Sequence, residues 1–174
     1  MRPLLRDYVE MLLLTGMRHG TEAMGICWNN IEWHTHKGVR YLRIWVSGKT
    51  GGRWLIAKHA AVDTLKRLQS RQMALAKLGF DELLKAKSKH KIFAYSNGTQ
   101  PHDLRGTFRQ LMKDTGLLKD TEGQNRTLYS LRHTYATFAL AEGIDIHTLA
   151  RQMGTSTLMI EKHYSKITPM LKAE

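Results

Sequence analysis

The stretch from residue 128 to residue 164 constrains the fold of this chain more than any other. It reads LYSLRHTYATFALAEGIDIHTLARQMGTSTLMIEKHY and combines two helical patterns with a Gly-Thr-Ser break. An arginine-histidine pair, Arg132 and His133, stands near its start, and Tyr164 ends it. We interpret Arg132 as an arginine that binds phosphate and Tyr164 as a tyrosine that attacks it.

The charge of the chain narrows the class of partner. Lysine and arginine number 27 and aspartate and glutamate 15, so the formal net charge is 27 − 15 = +12. A surplus of this size favours a polyanion, with nucleic acid first and an anionic membrane surface second, although a merely soluble basic protein stays open. No apolar run reaches the roughly 18 residues of a membrane span. The single Cys27 allows no internal disulfide, which suits a reducing cytoplasm.

Helices dominate the rest of the pattern. Apolar residues at intervals of three and four predict a helix over residues 4–15 that ends at Gly16. The same spacing predicts a helix over residues 58–78 that ends at Gly79. A further helix is predicted over Leu104–Thr115.

Strands are fewer. Residues 39–47 and 53–57 alternate and are rich in β-branched and aromatic types, and the turn-forming GKTGG lies between them. This predicts a β-hairpin with Lys49 at or beside its tip. A short strand is predicted over residues 92–94. The charge run before it, at 85–91, is typical of a solvated loop, although it can also meet nucleic-acid phosphates. The fold class that follows is α+β, mostly helical with a small antiparallel β-sheet.

Several kinds of site are absent from the sequence. No carboxylate cluster has the pattern of a two-metal site, and no cysteine-histidine set has zinc spacing. A phosphate loop at GKT would need a glycine five residues before Gly48, where Arg43 stands. His34 and His36 fall in a stretch that we interpret as a surface loop. We therefore predict no metal and no cofactor.

Phosphoryl transfer without a metal needs cations that hold the phosphate and a side chain that attacks it. Arginine binds phosphate through a planar fork, lysine can protonate a leaving oxygen, and tyrosine can form a covalent intermediate. Arg18 follows a helix break, where it can point into a cleft, although it can also form a weak surface pair with Glu22. Lys49 can equally be a solvated turn residue, and Tyr164 an ordinary aromatic at a helix end.

Four segments resemble a known family. TGMRHGTEAMGICWNNI resembles the first arginine box of the tyrosine recombinase (phage integrase) family, and SGKTGGRWLI its lysine hairpin. YSLRHTYATFALAEGIDIHTLARQMGTS resembles its second box, and IEKHYS its nucleophile segment. The resemblance runs from about residue 4 to residue 170, and its specificity comes from the order and spacing of the segments together.

The resemblance implies a catalytic domain that breaks and rejoins DNA through a 3′-phosphotyrosyl intermediate, without ATP or metal. Arg18 and Arg132 would clamp the scissile phosphate, and Glu22 would orient Arg18. Lys49 would protonate the 5′-oxygen leaving group. Tyr164 would attack the phosphorus.

Two positions depart from the family pattern. The histidine expected three residues before the arginine of the second box is Tyr129, which donates hydrogen bonds but accepts protons poorly. The histidine or tryptophan expected nine residues before the nucleophile is Thr155, which can bond phosphate or cap the last helix. His133 is the nearest substitute acceptor, although in the family its position packs and supports the site.

A second segment imitates the second box. HDLRGTF at 102–108 offers His102 and Arg105, but Tyr164 lies 59 residues beyond Arg105, against 32 beyond Arg132. The residues that follow Arg105 also resemble the helix that precedes the second box. His102 is therefore kept as a minor candidate.

The resulting prediction is one catalytic domain over residues 1–174, a fragment without an N-terminal DNA-binding domain. It would serve a site-specific recombinase of a phage or mobile element, DNA-associated in the cytoplasm. Its partner would be double-stranded DNA with an att-like site, bound by four protomers on two sites, with no membrane. The alternatives are an enzyme like type IB topoisomerases, which relaxes supercoils, and a DNA-binding module without catalysis.

Overall fold

The computed structural model describes residues 2–48 and 51–164. The helices are α1 (Arg2–Thr15), α2 (Thr21–Gly25), α3 (Ala61–Arg71), α4 (Phe80–Lys85), α5 (Arg105–Asp114), α6 (Ser130–Ala141), α7 (Ile146–Met153) and α8 (Thr157–Tyr164). The strands are β1 (Ile31–His36), β2 (Val39–Gly48) and β3 (Gly51–Ile56), and a short 3-10 turn spans Trp28–Asn30. The predicted α+β class is confirmed. Within the described ranges, no helix has the length and apolar character needed to cross a membrane.

The sheet is antiparallel in the order β1-β2-β3. The β2-β3 ladder runs from Arg43 opposite Ile56 to Gly48 opposite Gly51, which confirms the hairpin. β1 was not predicted, and His34 and His36 lie in it rather than in a loop. Its position at the edge of the sheet explains the error. Among the strands of the described ranges β1 pairs with β2 alone, and its side chains become steadily more exposed along the strand.

The helix predicted over residues 58–78 is wrong at its end. α3 stops at Arg71, and the backbone of Gln72 is extended. The buried Gln72 amide donates to the carbonyls of Lys91 and Ile92 at 2.9 Å each, while its oxygen accepts from the Trp28 indole at 3.3 Å. A buried amide needs such partners, and these lie far along the chain, beyond the reach of helical spacing.

Two further assignments need correction. Helix α4 was not predicted, and it precedes most of the charge run at 85–91. Residues 92–94 form no strand, although all three side chains are buried; a lone bridge joins Cys27 to Lys91 instead. These apolar side chains therefore pack into the core from irregular backbone.

Two hydrophobic clusters organise the described residues. The larger one joins α1, the sheet, α3, α4 and α5, and the smaller one joins α6, α7 and α8. Gly16 lies where they meet, in the left-handed region at φ 65°. A Cβ atom on Gly16 would come within 2.3 Å of the Tyr135 ring, so the end of α1 approaches α6 as closely as it does only because this residue has no side chain.

We expect Gly16→Ala to destabilise the protein by about 3 kcal/mol or more, because it adds a steric clash to the cost of a left-handed alanine. Gly143→Ala is the matched control, since Gly143 has φ +83° and open space around its Cβ position. The control should cost about 1 kcal/mol. Urea unfolding of both variants measures the difference, and equal losses would contradict the close approach of α1 to α6.

Candidate active site

Arg18 is held at the junction between α1 and α2. Its backbone N–H donates to Glu22 Oε2 at 2.8 Å, and its Nη1 donates to Glu22 Oε1 at 2.6 Å. Its Nη2 donates to the carbonyl of Gly154, just beyond the end of α7. The guanidinium therefore bridges the first helices of the chain and the turn before α8.

Glu22 is a buried acceptor shared by two arginines. Its side chain is only 1% exposed, so the alternative of a surface pair with Arg18 is wrong. Arg53 on β3 donates to both carboxylate oxygens, at 2.8 and 3.0 Å, in a bidentate pair. Burial alone would raise the pKa of Glu22, but hydrogen bonds from Arg53 and Arg18 outweigh burial and lower that pKa.

Arg132 is the most deeply buried cation of the site. Its Nη1 donates to the carbonyl of Gly16 and its Nη2 to that of Met153, both at 2.6 Å. Burial, followed by the positive charge of Arg18, lowers the pKa of Arg132 to about 10. The group stays charged at neutral pH, and its fork is fixed between α1 and α7.

Three consecutive carbonyls at the end of α7 accept from three different arginines. Arg53 Nε donates to Gln152 at 3.1 Å, and Arg132 and Arg18 donate to the next two carbonyls. The last carbonyls of a helix lack partners within the helix and carry its partial negative charge. With Glu22, the three arginines carry a net charge of 3 − 1 = +2 at one point of the fold.

A cavity of about 410 Å³ opens beside these arginines, between the start of β3 and the α7–α8 turn. Its lining includes Arg18, Arg53 and Thr155. The cavity therefore offers two guanidinium groups and a hydroxyl-bearing residue to a small anion. Lys49 lies outside the described residues.

Tyr164 ends α8, and its phenol is largely buried. Its oxygen lies 2.6 Å from Nδ1 of His133 on α6. Burial raises the pKa of Tyr164 to about 12, the nearby Tyr129 adds to this, and the charge of Arg132 opposes it. The structure thus brings the phenol within electrostatic reach of Arg132.

The two residues that depart from the family pattern have different surroundings. Tyr129 precedes α6, is 48% exposed, and has its ring centroid 5.0 Å from that of His133. Thr155 lines the cavity but does not cap α8. Ser156 takes that position, since its Oγ accepts from the N–H of Met159 at 3.2 Å.

The segment at 102–108, which imitates the second box, lines a different cavity from Arg18 and Arg53. The side chain of His102 is 97% exposed and lies 3.5 Å from Asp103. Arg105 is also paired with Asp103, at 2.8 Å. Both side chains line a separate cavity with His19.

Arg53 is the residue that sequence reasoning missed. It was read only as part of a strand, although it alternates with Trp54 and so falls on the same side of β3 as the fully buried Leu55. A charged residue on the inner face of a strand needs a buried partner, and this signal points to a carboxylate such as Glu22.

Metal-binding chemistry finds no support within the ranges that the structure describes. They hold no group of three or more histidine, cysteine, aspartate or glutamate residues placed to bind a metal ion. The positive charge of the site comes from arginines.

Comparison with known proteins gives a consistent result. The model of the phage integrase family matches residues 4–169. Among solved structures, XerH site-specific recombinase bound to palindromic difH substrate, in a post-cleavage complex, superposes with a TM-score of 0.67 and 18% identity, over 99% of this chain and 45% of XerH. The Tn1549 transposon integrase in complex with transposon right end DNA superposes with a TM-score of 0.60 and 21% identity, over 92% of this chain and 54% of the integrase.

XerA recombinase gives a TM-score of 0.59 and 19% identity, over 99% of this chain and 61% of XerA. This chain therefore spans about half the length of these structures. No curated protein matches it significantly. At these identities the superpositions show a shared fold, that of tyrosine recombinase catalytic domains, as the sequence predicted.

We expect Glu22→Gln to destabilise the protein by about 3 kcal/mol at pH 7, because it leaves two partly buried arginines without their carboxylate. The folded-state pKa of Glu22 lies below its ordinary value of 4.5, so its contribution is present above pH 4.5 and is lost as pH falls through the folded pKa. Urea unfolding at pH 7 and near pH 3 should show the gap between wild type and variant narrowing.

Glu142→Gln provides the matched control for this measurement. Glu142 also pairs with a cation, Lys58 at 2.6 Å, but both side chains are exposed. The control should lose less than about 1 kcal/mol. A Glu22→Gln loss no larger than that of the control would contradict the structural role of the buried carboxylate.

Proposed function

Because the chain belongs to the phage integrase family, we propose that it is the catalytic domain of a site-specific DNA recombinase that works through a 3′-phosphotyrosyl intermediate. The observation that carries the proposal is the convergence of Arg18, Arg53 and Arg132 on the end of α7, with the Tyr164 phenol within reach of Arg132. The geometry supports a phosphate clamp beside a nucleophile.

In this proposal Arg18 and Arg132 bind the non-bridging oxygens of the scissile phosphate. Hydrogen bonds to backbone carbonyls hold both guanidinium groups in place before DNA binds, so these groups need little rearrangement in the transition state. Arg53 and Glu22 act as positioning residues, since their pair fixes Arg18. Thr155 on the cavity and Tyr129 at the start of α6 donate further hydrogen bonds to phosphate.

Tyr164 attacks the phosphorus, so that a bond forms from its oxygen to phosphorus and the bond to the 5′-oxygen breaks. Lys49 protonates the departing oxygen. The phosphotyrosine bond conserves the energy of the broken phosphodiester, so rejoining needs no ATP, and the arginines supply the charge that a metal would otherwise provide. The raised pKa of Tyr164 means that the phenol must lose its proton during attack.

Double-stranded DNA is the proposed partner. The charge of +12 favours a polyanion, and the Tn1549 integrase was solved in complex with DNA and XerH bound to its difH substrate. The chain spans about half the length of those relatives. Four protomers acting on two att-like sites is the proposed assembly.

A DNA-binding module without catalysis is the second candidate. Two observations favour it: Tyr129 stands where the family pattern has a histidine, and the pKa of Tyr164 is raised to about 12. Such a module would use the same arginine cluster to hold a backbone phosphate without cleaving it.

We expect the full chain to form a covalent adduct with DNA that Tyr164→Phe abolishes, because phenylalanine lacks the attacking oxygen. The substrate is a library of nicked duplexes with randomised arms. After cleavage next to the nick, the short fragment diffuses away, so rejoining is prevented and the adduct accumulates. Adducts are isolated under denaturing conditions and their DNA is sequenced, which also identifies the target site. Adduct formation should persist in EDTA.

DNA retention by wild type and Tyr164→Phe without any adduct would instead support the module. Tyr41→Phe serves as the matched control and should leave the adduct yield unchanged. Tyr41 lies on β2 opposite His34, several residues from Val46, which pairs with Arg53. Relaxation of supercoiled plasmid with no preferred sequence among the adducts would point to a topoisomerase-like enzyme.

A further inference from the structure

His133 makes a short contact with the side chain that is proposed to attack. Its Nδ1 lies 2.6 Å from the oxygen of Tyr164, at the short end of hydrogen bonding. A phenol whose pKa is about 12 keeps its proton at neutral pH. The Tyr164 hydroxyl is therefore the donor and Nδ1 the acceptor, which assigns the neutral Nε2–H tautomer to the imidazole.

The surroundings of His133 keep the imidazole neutral. Burial lowers its pKa, and the electrostatic influence of His163 and Arg132 lowers it further. The ring contacts Tyr129, which precedes α6, and His163 and Tyr164 of α8. The charge of Arg132, on the same helix, also acts on it. A neutral imidazole can accept a proton, whereas Tyr129, which holds the place of the expected histidine, cannot do so readily at neutral pH.

We propose that His133 accepts the proton of Tyr164 during DNA cleavage and so does the work of the histidine that the second box lacks. This inference rests on the proposed function. The proton moves from the phenol oxygen to Nδ1 as that oxygen bonds to phosphorus. The bond to the 5′-oxygen breaks, and that oxygen takes its proton from the acid of the site. In rejoining, Nδ1 returns the proton to the phenol.

The position of His133 next to Arg132 makes its proton affinity depend on whether phosphate is bound. Imidazolium beside a buried guanidinium is unfavourable in the free protein. A bound phosphodiester adds one negative charge next to Arg132, which offsets that repulsion and raises the proton affinity of His133. The base is thus neutral before DNA binds and becomes a better acceptor once the substrate is in place.

A purely structural role for His133 makes different predictions. His133→Asn keeps an acceptor near the position of Nδ1, so it preserves the hydrogen bond to Tyr164 but cannot take up a proton. His133→Ala removes the bond and leaves space in which imidazole from the buffer can act. His147→Ala is the matched control, because His147 is an exposed residue on α7.

The experiment measures single-turnover adduct formation on the nicked duplex that the library selects, from pH 5 to pH 9. Both His133 variants should be slower by about 10²- to 10⁴-fold, as is typical for loss of a general base. The wild-type rate should rise with pH through one ionisation that both variants lack. Imidazole should partly restore His133→Ala and leave Tyr164→Phe inactive.

Full activity of His133→Asn, or an unchanged pH profile in both variants, would overturn this inference while leaving the proposed function intact. Absence of an adduct with wild-type protein would overturn the proposed function itself. Urea unfolding of each variant verifies that it folds. Nitrogen-15 NMR of the free protein supplies a readout independent of DNA, in which His133 should be the Nε2–H tautomer and should change its signal in Tyr164→Phe.

Discussion

The end of α7 is the point on which the rest of this structure depends. Three successive carbonyls there accept hydrogen bonds from Arg53, Arg132 and Arg18, which come from a strand, a helix and a loop. Bringing three cations together opposes folding through mutual repulsion. The partial negative charge at the end of the helix and the buried carboxylate of Glu22 offset it. The remaining positive charge is what makes this point attractive to phosphate.

The same contacts join the two hydrophobic clusters of the chain. Arg132 belongs to α6 of the smaller cluster, yet it donates both to Met153 in that cluster and to Gly16 at the end of α1. Arg18 and Arg53 reach from the larger cluster to the other side of the same boundary. The site therefore lies between the two hydrophobic clusters. The side chains proposed to bind substrate also form hydrogen bonds that join one cluster to the other.

Local patterns explain which parts of the fold were predictable. The hairpin and the helices near residues 104–115 and 128–164 follow from spacings of two to four residues, which any chain reveals directly. The end of α3 could not be predicted in this way, because it depends on the Gln72 side chain binding backbone carbonyls about 20 residues away. Strand β1 was missed for a related reason, because an exposed edge strand has little apolar alternation.

The sequence by itself determined the family, the fold class and the residue types from which a metal-free phosphate site can be built, because these follow from motifs and their order. Only the tertiary structure decided the pairings. It made Arg53 the second partner of Glu22, chose Ser156 over Thr155 as the cap of α8, and placed His133 against Tyr164. The pairs Arg53–Glu22 and His133–Tyr164 each join groups 31 residues apart, and Arg18 reaches Gly154 over 136 residues. Packing of whole elements brings these groups together, and spacing along the chain does not encode that packing.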